Sequence, residues 1–166
     1  GKGQEPIPFR AKSTILATGG GSALFERTTN PESSTGEGVA LAFKAGAAIS
    51  DMEFLQFHPT AFYNERGASF LITEALRGEG AHLLGCTGER FMYRYSDLGE
   101  LAPRDIVSRA ISLEIENSGR NFVYLDMRHL NPSYLKSRFA NIYEACLAAG
   151  GDMTESLVPV APAAHY

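Results

Sequence analysis

Apolar positions recur at helical spacing in two long stretches of the chain. In the first, Ile106, Val107, Ala110, Ile111, Leu113 and Ile115 form a broad stripe behind Pro103, which predicts a helix from Pro103 to about Asn117, stopped by Gly119. In the second, Leu135, Phe139, Ile142, Tyr143, Cys146 and Leu147 predict one long helix, capped by Asn131, opened by Pro132 and ended by Gly150-Gly151. A third helix is expected over Val39–Ala45. Thr35 is its cap, Gly46 its end, and its alanines suit close packing against a sheet or a cofactor.

Shorter apolar runs predict strands. Ser13–Thr18 reads as a buried strand running into Gly19-Gly20-Gly21. Ile49–His58 alternates, with Met52, Phe54 and Gln56 on one face and Glu53, Leu55 and Phe57 on the other, and Pro59 is expected to stop it. Phe70–Ile72 is a further strand. His82–Leu84 and Arg90–Met92 flank a glycine-bearing loop and predict a hairpin. Phe122–Asp126 reads as a strand, and Leu157–Ala164 as an extended, proline-rich segment. Strands and helices mix without a steady alternation, so the expected class after residue 50 is α+β.

Composition narrows the function classes. The 166 residues, 44% hydrophobic and 20% charged, are those of a globular protein. A net charge of −4 leaves no footprint for nucleic acid or an anionic membrane. No apolar run approaches the ~20 residues that span a bilayer. Cys86 and Cys146 make neither a disulfide scaffold nor a zinc site, so no metal is expected, and the default setting is reducing and cytoplasmic. The polar start and the Ala163-Ala164-His165-Tyr166 end read as cut, and the chain is expected to be a piece of a longer enzyme.

Candidate chemistry gathers in Phe70–Ala81. There an apolar run leads directly into Thr73, Glu74 and Arg77. Glu74 and Arg77 share a face on one helical turn, as a structural ion pair or as a proton relay. His58, at a strand end, is either structural or functional, depending on what converges on it. Arg104 lies in the first turn of its helix, where the dipole disfavours a cation. Either Asp105 or solvent compensates, or the dipole and Arg104 make an anion pocket. An arginine carries a proton only transiently and with help from its neighbours. The glycines after Thr18 let backbone approach a bulky ligand, and the helix start near Thr35 can seat an anion or a flavin.

Several strings, in order, resemble the flavoproteins of the succinate dehydrogenase and fumarate reductase family. They are Ala17-Thr18-Gly19-Gly20, Thr28-Thr29-Asn30-Pro31, Thr35-Gly36-Glu37-Gly38, Glu53-Phe54-Leu55-Gln56-Phe57-His58-Pro59-Thr60, Thr73-Glu74-Ala75-Leu76-Arg77-Gly78 and Pro103-Arg104-Asp105. Within the family, Leu71–Ala81, Glu100–Val107 and Pro159–Tyr166 look most like the branch that oxidises L-aspartate to iminoaspartate. The resemblance covers nearly the whole chain from about residue 11. The family's N-terminal glycine-rich dinucleotide motif, a further substrate arginine and a C-terminal helical domain have no counterpart here, and Glu37 stands where many relatives carry Asp.

The resemblance implies a fold, a cofactor and roles. The fold would be the α+β capping domain of the fumarate reductase flavoprotein type, preceded by a partial α/β FAD-binding segment. The divisions would be 1–50 for the partial FAD-binding segment, 51–160 for the capping domain and 161–166 for the return to the FAD-binding domain. FAD would be the cofactor, not held tightly by this piece alone. Thr18, Gly19, Gly20, Thr35, Gly36 and Glu37 would lie along it. His58, Thr73 and His165 would hold a small dicarboxylate such as L-aspartate or fumarate. Arg104 would accept the proton, with Glu74 and Arg77 as its relay. The resemblance also implies a place in NAD biosynthesis, with electrons passing to oxygen or fumarate and quinolinate synthase as a partner. The alternatives are a succinate dehydrogenase or fumarate reductase subunit, and a folded module that binds small anions and catalyses nothing.

Overall fold

The computed structural model describes residues 7–65 and 70–166. The first six residues of the expected FAD-binding segment lie outside them. Four antiparallel strands form one sheet in the order β1-β4-β3-β2. They are β1 (Phe57–Phe62), β2 (His82–Leu84), β3 (Val123–Asp126) and β4 (Val158–Ala164). The helices are α1 (Glu37–Lys44), α2 (Glu74–Gly78), α3 (Arg104–Ser118), α4 (Pro132–Arg138) and α5 (Ala140–Ala148). Helix and strand mix as the sequence leads one to expect, with the sheet and α2–α5 all after residue 50.

α3 packs across β1, β4 and β3. Its buried face is Val107, Ala110, Ile111 and Glu114, spaced i, i+3, i+4, i+7. The expected stripe is therefore narrower than its apolar residues: Leu113 is exposed, and Ile106 and Ile115 are only partly buried. Pro103 is the cap residue before α3, and Gly119 closes the helix in the left-handed conformation at φ 64°. Leu83, Leu125, Val160, Leu76, Phe91, Leu135 and Met153 complete one core with α3. Fully burying each such side chain is worth about 1.5–3 kcal/mol.

Several expected elements differ, each for a physical reason. Ser13–Thr18 forms no strand, and Ile15 and Leu16 are exposed, because no strand among the described residues lies beside it to complete a ladder. Gly36, not Thr35, is the cap of α1; it sits at φ 74°, a conformation that a β-branched residue would resist. Ile49–Gln56 is irregular, and the strand begins only at Phe57. Pro59 does not stop that strand but lies within it. Between His58 and Ala61 the pairing with β4 shifts register, and Pro162 falls in the same irregularity on the facing strand. A residue without an N–H is tolerated where the ladder is already interrupted.

Phe70–Ile72 is no full strand. Leu71 bridges to Ala61, and the Ile72 N–H donates to the Thr60 carbonyl at 3.0 Å. The 82–92 hairpin closes through Leu84 and Arg90, but its second arm turns at once into a 3-10 turn at Met92–Arg94. The second long helix breaks at Phe139 (φ −123°, ψ 39°) into α4 and α5, while the Asn131 cap holds, its side chain accepting from the Tyr134 N–H at 3.0 Å. Among the described residues no helix is long and apolar enough to cross a membrane, and no group of three or more His, Cys, Asp or Glu could hold a metal ion.

Candidate active site

Thr73 ends the extended segment beside β1 and caps α2, its hydroxyl accepting from the Ala75 N–H at 3.4 Å. Glu74 thus opens the helix and Arg77 follows one turn later. The Arg77 Nη2 to Glu74 Oε1 distance is 3.5 Å, with the arginine buried and the carboxylate half-exposed. The other carboxylate oxygen, Oε2, accepts from Arg104 Nε at 2.7 Å. Glu74 therefore stands between two guanidinium groups. The Arg104 hydrogen bond, aided by the charges of Arg77 and Arg104, holds the Glu74 carboxyl below its ordinary range.

Arg77 is only 2% exposed, and its Nη1 donates to the Glu100 carbonyl at 2.5 Å. Its Nε and Nη2 have no hydrogen-bond partner among the described residues. Burial lowers its pKa, and Glu74 offsets part of that. Glu100 is itself buried; its carboxylate accepts from Arg90 at 2.8 and 2.6 Å and from the Leu83 N–H at 3.0 Å. This pins the backbone that Arg77 grips.

Arg104 begins α3, and its Nη1 also donates to Gln56 Oε1 at 3.0 Å. Asp105 does not compensate it, pairing instead with Arg109 at 3.6 Å. Arg104 and Gln56 line a groove of about 920 Å³ between α3 and β1, together with Arg27, Leu55, Phe57 and Ser108.

Two histidines face each other near this cluster. The rings of His58 and His165 lie edge-on, 5.4 Å apart. His58 is 1% exposed, and its Nδ1 accepts from the Thr60 N–H at 3.3 Å. Burial, then the charge of Arg104, lowers its pKa to about 4. His165 follows β4 and is more accessible; burial and Arg104 also lower its pKa. Both imidazoles are neutral at neutral pH and so act as hydrogen-bonding groups rather than as cations.

The glycine-bearing segments meet at a second place. The Gly36 N–H donates to the Gly20 carbonyl at 3.0 Å, and a Cβ on Gly21 would lie 3.6 Å from the Gly36 Cα. A Cβ on Gly38 would strike Thr18. Around Gly19 and Gly20, by contrast, a side chain would meet nothing within 4 Å. Open backbone beside the start of an eight-residue helix fits a flat or phosphate-bearing ligand such as a flavin nucleotide. Thr35 and Gly36 also border an apolar hollow of about 430 Å³. Thr18, Thr35 and Glu37 are exposed.

The structure thus joins Arg104, Glu74 and Arg77 directly and sets His58 beside His165. Thr73 adjoins Glu74 along the chain. Thr18, Gly19, Gly20, Thr35, Gly36 and Glu37 form a separate patch. A polar chain links the two places: Asn30 Nδ2 donates to Ser22 Oγ and to the His165 carbonyl, both at 2.6 Å. Sequence reasoning gave no role to Gln56, Thr29, Asn30 or Glu100. All four lie inside strings that it did single out, but Glu100 meets Arg77 through a tertiary contact across 23 positions, which no local pattern reports.

A family model described as an FAD binding domain matches residues 2–166. The chain is 51% identical over 158 residues to an L-aspartate oxidase of Pseudomonas aeruginosa, covering 95% of this chain and 29% of that protein. It is 49% identical over 162 residues to an L-aspartate oxidase of Synechocystis sp., again covering 95% of this chain and 29% of the relative. Among solved structures, a quinol-fumarate reductase with menaquinol molecules aligns with a TM-score of 0.80 at 36% identity, covering 91% of this chain and 29% of that one. The chain therefore spans less than a third of the length of these relatives.

Proposed function

The chain belongs to the FAD binding domain family, and on that footing we propose that it is the substrate-handling part of an FAD-dependent L-aspartate oxidase. The complete protein oxidises L-aspartate to iminoaspartate. The relatives at 49–51% identity carry that name, which supports the choice of substrate. The observation that carries the chemistry is Arg104, held by Glu74 at 2.7 Å and Gln56 at 3.0 Å beside the neutral His58–His165 pair.

In this reading His58, Thr73 and His165 hold the carboxylates of the dicarboxylate and fix its orientation. Arg104 accepts the proton that the substrate gives up as it is oxidised, its own Nε–H proton passing to the Glu74 carboxylate as it does so, and the same transfers run backwards in the reverse direction. Glu74 and Arg77 pass that proton on. Buried Arg77, its Nη2 3.5 Å from the Glu74 carboxylate, lies within reach of that relay. Bound FAD supplies the two-electron acceptor, seated along Thr18, Gly19, Gly20, Thr35, Gly36 and Glu37. Residues 51–160 act as a capping domain over the flavin, 1–50 as part of the FAD-binding domain, and 161–166 as the return to it. A cytoplasmic setting, transfer of electrons to oxygen or fumarate, a place in NAD biosynthesis and a quinolinate synthase partner belong to the same reading. The 166 residues alone are expected to be inactive.

The test is to assay a full-length protein carrying this chain with L-aspartate and with succinate. Faster flavin reduction by L-aspartate is the expected result. Preferential oxidation of succinate would replace the reading with a succinate dehydrogenase or fumarate reductase flavoprotein subunit.

A further inference from the structure

The segment Arg27–Asn30 makes a set of contacts for which the reaction described above has no use. The Ala164 N–H donates to the Arg27 carbonyl at 2.9 Å, and the Thr29 N–H to the Ala164 carbonyl at 3.1 Å. Thr28 Oγ1 donates to that same carbonyl at 3.2 Å. Asn30 Nδ2 holds the His165 carbonyl at 2.6 Å. Together these contacts fix the backbone on both sides of His165 without touching its ring. From this segment it is Thr29 that reaches the ring, its Oγ1 lying 2.6 Å from His165 Nδ1. A four-residue segment at the start of the chain therefore sets both the position and the ring orientation of a residue 136 positions later.

We infer that Thr29 is a positioning residue that holds His165 in its Nε2–H form, so that the ring donates a hydrogen bond to a substrate carboxylate. This rests on the reading of His165 as a dicarboxylate-binding group. A neutral imidazole carries one proton and can place it on either nitrogen. A carboxylate is acceptor-only, so a neutral histidine holds one only through a nitrogen that bears hydrogen. The Thr29 hydroxyl settles the choice when it donates to Nδ1, because Nδ1 must then be the acceptor and the proton lies on Nε2. A partner on the second ring nitrogen fixes tautomer and aim in this way wherever a histidine must present one defined face. Asn30 adds a link to Ser22, a buried residue next to the glycine patch, at 2.6 Å. The segment thereby ties the proposed flavin seat to the group that orients substrate.

The experiment combines histidine nitrogen NMR with steady-state kinetics on Thr29→Val and Thr29→Ser, using the full-length protein. The four histidines, His58, His82, His129 and His165, are resolved by labelling all of them and comparing with a His165→Gln sample. In the unsubstituted protein His165 is expected to show a single tautomer with Nε2 protonated. Thr29→Val keeps shape and removes the hydroxyl. It is expected to give mixed tautomers at His165 and to raise KM for L-aspartate about tenfold, the effect of one lost hydrogen bond, with kcat within about twofold of the starting value. Thr29→Ser restores the hydroxyl and should recover both the single tautomer and the low KM, which loss of packing alone would not do. An unchanged tautomer and unchanged KM in Thr29→Val would overturn the inference. A changed tautomer with unchanged KM would overturn His165 as the carboxylate clamp and leave the Thr29 contact as a structural tether.

Discussion

At the scale of single residues, the site holds one carboxylate between two guanidinium groups and keeps its histidines neutral. His58 makes the energetic side of this measurable. In the unfolded chain its imidazole takes up a proton near pH 6.5, whereas in the fold it does so only near pH 4, because burial and Arg104 oppose the charge. Between those values the unfolded chain binds more protons. The contribution of neutral His58 to stability is therefore complete above about pH 6.5 and is lost as pH falls toward 4, a change on the order of 3 kcal/mol. Chemical denaturation at stepped pH should show this slope, and His58→Gln should flatten it. Glu74 gives a second prediction. Its carboxylate lies between Arg104 at 2.7 Å and Arg77 at 3.5 Å, so Glu74→Gln keeps the shape of the link but removes its proton-passing charge. In the full-length protein kcat for L-aspartate should fall by about 10–100-fold with little change in KM, since a relay acts on the chemical step and not on binding. A rise in KM alone would make Glu74 a structural partner of Arg104.

At the scale of elements, what could be read from the sequence followed how locally each element is determined. α3 and the Asn131 cap were legible because spacing, Pro103, Pro132 and Gly119 are local signals. The cap has a measurable share in stability: Asn131→Ala removes the acceptor of the Tyr134 N–H and should cost about 1 kcal/mol, lowering Tm by about 2–4 °C in thermal unfolding. The strands were legible less far. β4 was read only as extended, because Pro159 and Pro162 argue against a central strand unless the ladder shift opposite His58–Ala61 is known. Ser13–Thr18 looks like a strand by composition, yet composition does not say whether a neighbouring strand exists to pair with it. The proposed catalytic cluster was legible in part: Glu74 and Arg77 share one turn, but the Arg104–Glu74 contact spans 30 positions and the Thr29–His165 contact 136, and no periodicity reports such distances.

At the scale of the whole molecule, burial is uneven along the chain. Among residues 7–57 only Ser22 is buried, while Ile7, Phe9, Ile15, Leu16, Leu41, Phe43 and Phe54 are exposed. The core belongs to residues 61–164. Burial of this kind fits a later part that folds around its own core, β4 included to Ala164, with the first 50 residues relying on further contacts. Backbone hydrogen exchange should then find 13–46 weakly protected and Ile106–Leu113 strongly protected. Equal protection of the two would place the division elsewhere. The exposed backbone at Gly19 and Gly20 leads to a related expectation, that the 166 residues alone hold FAD weakly.

The account depends most on Arg104 as the group that takes the proton. Arg104→Lys in the full-length protein keeps a positive charge at the groove, but it loses the planar fork that reaches Glu74 and Gln56 together. Steady-state oxidation of L-aspartate should show kcat and kcat/KM falling together by about 100-fold or more, with KM within about threefold of the starting value. A variant that keeps kcat and only raises KM would make Arg104 a carboxylate clamp and contradict the account.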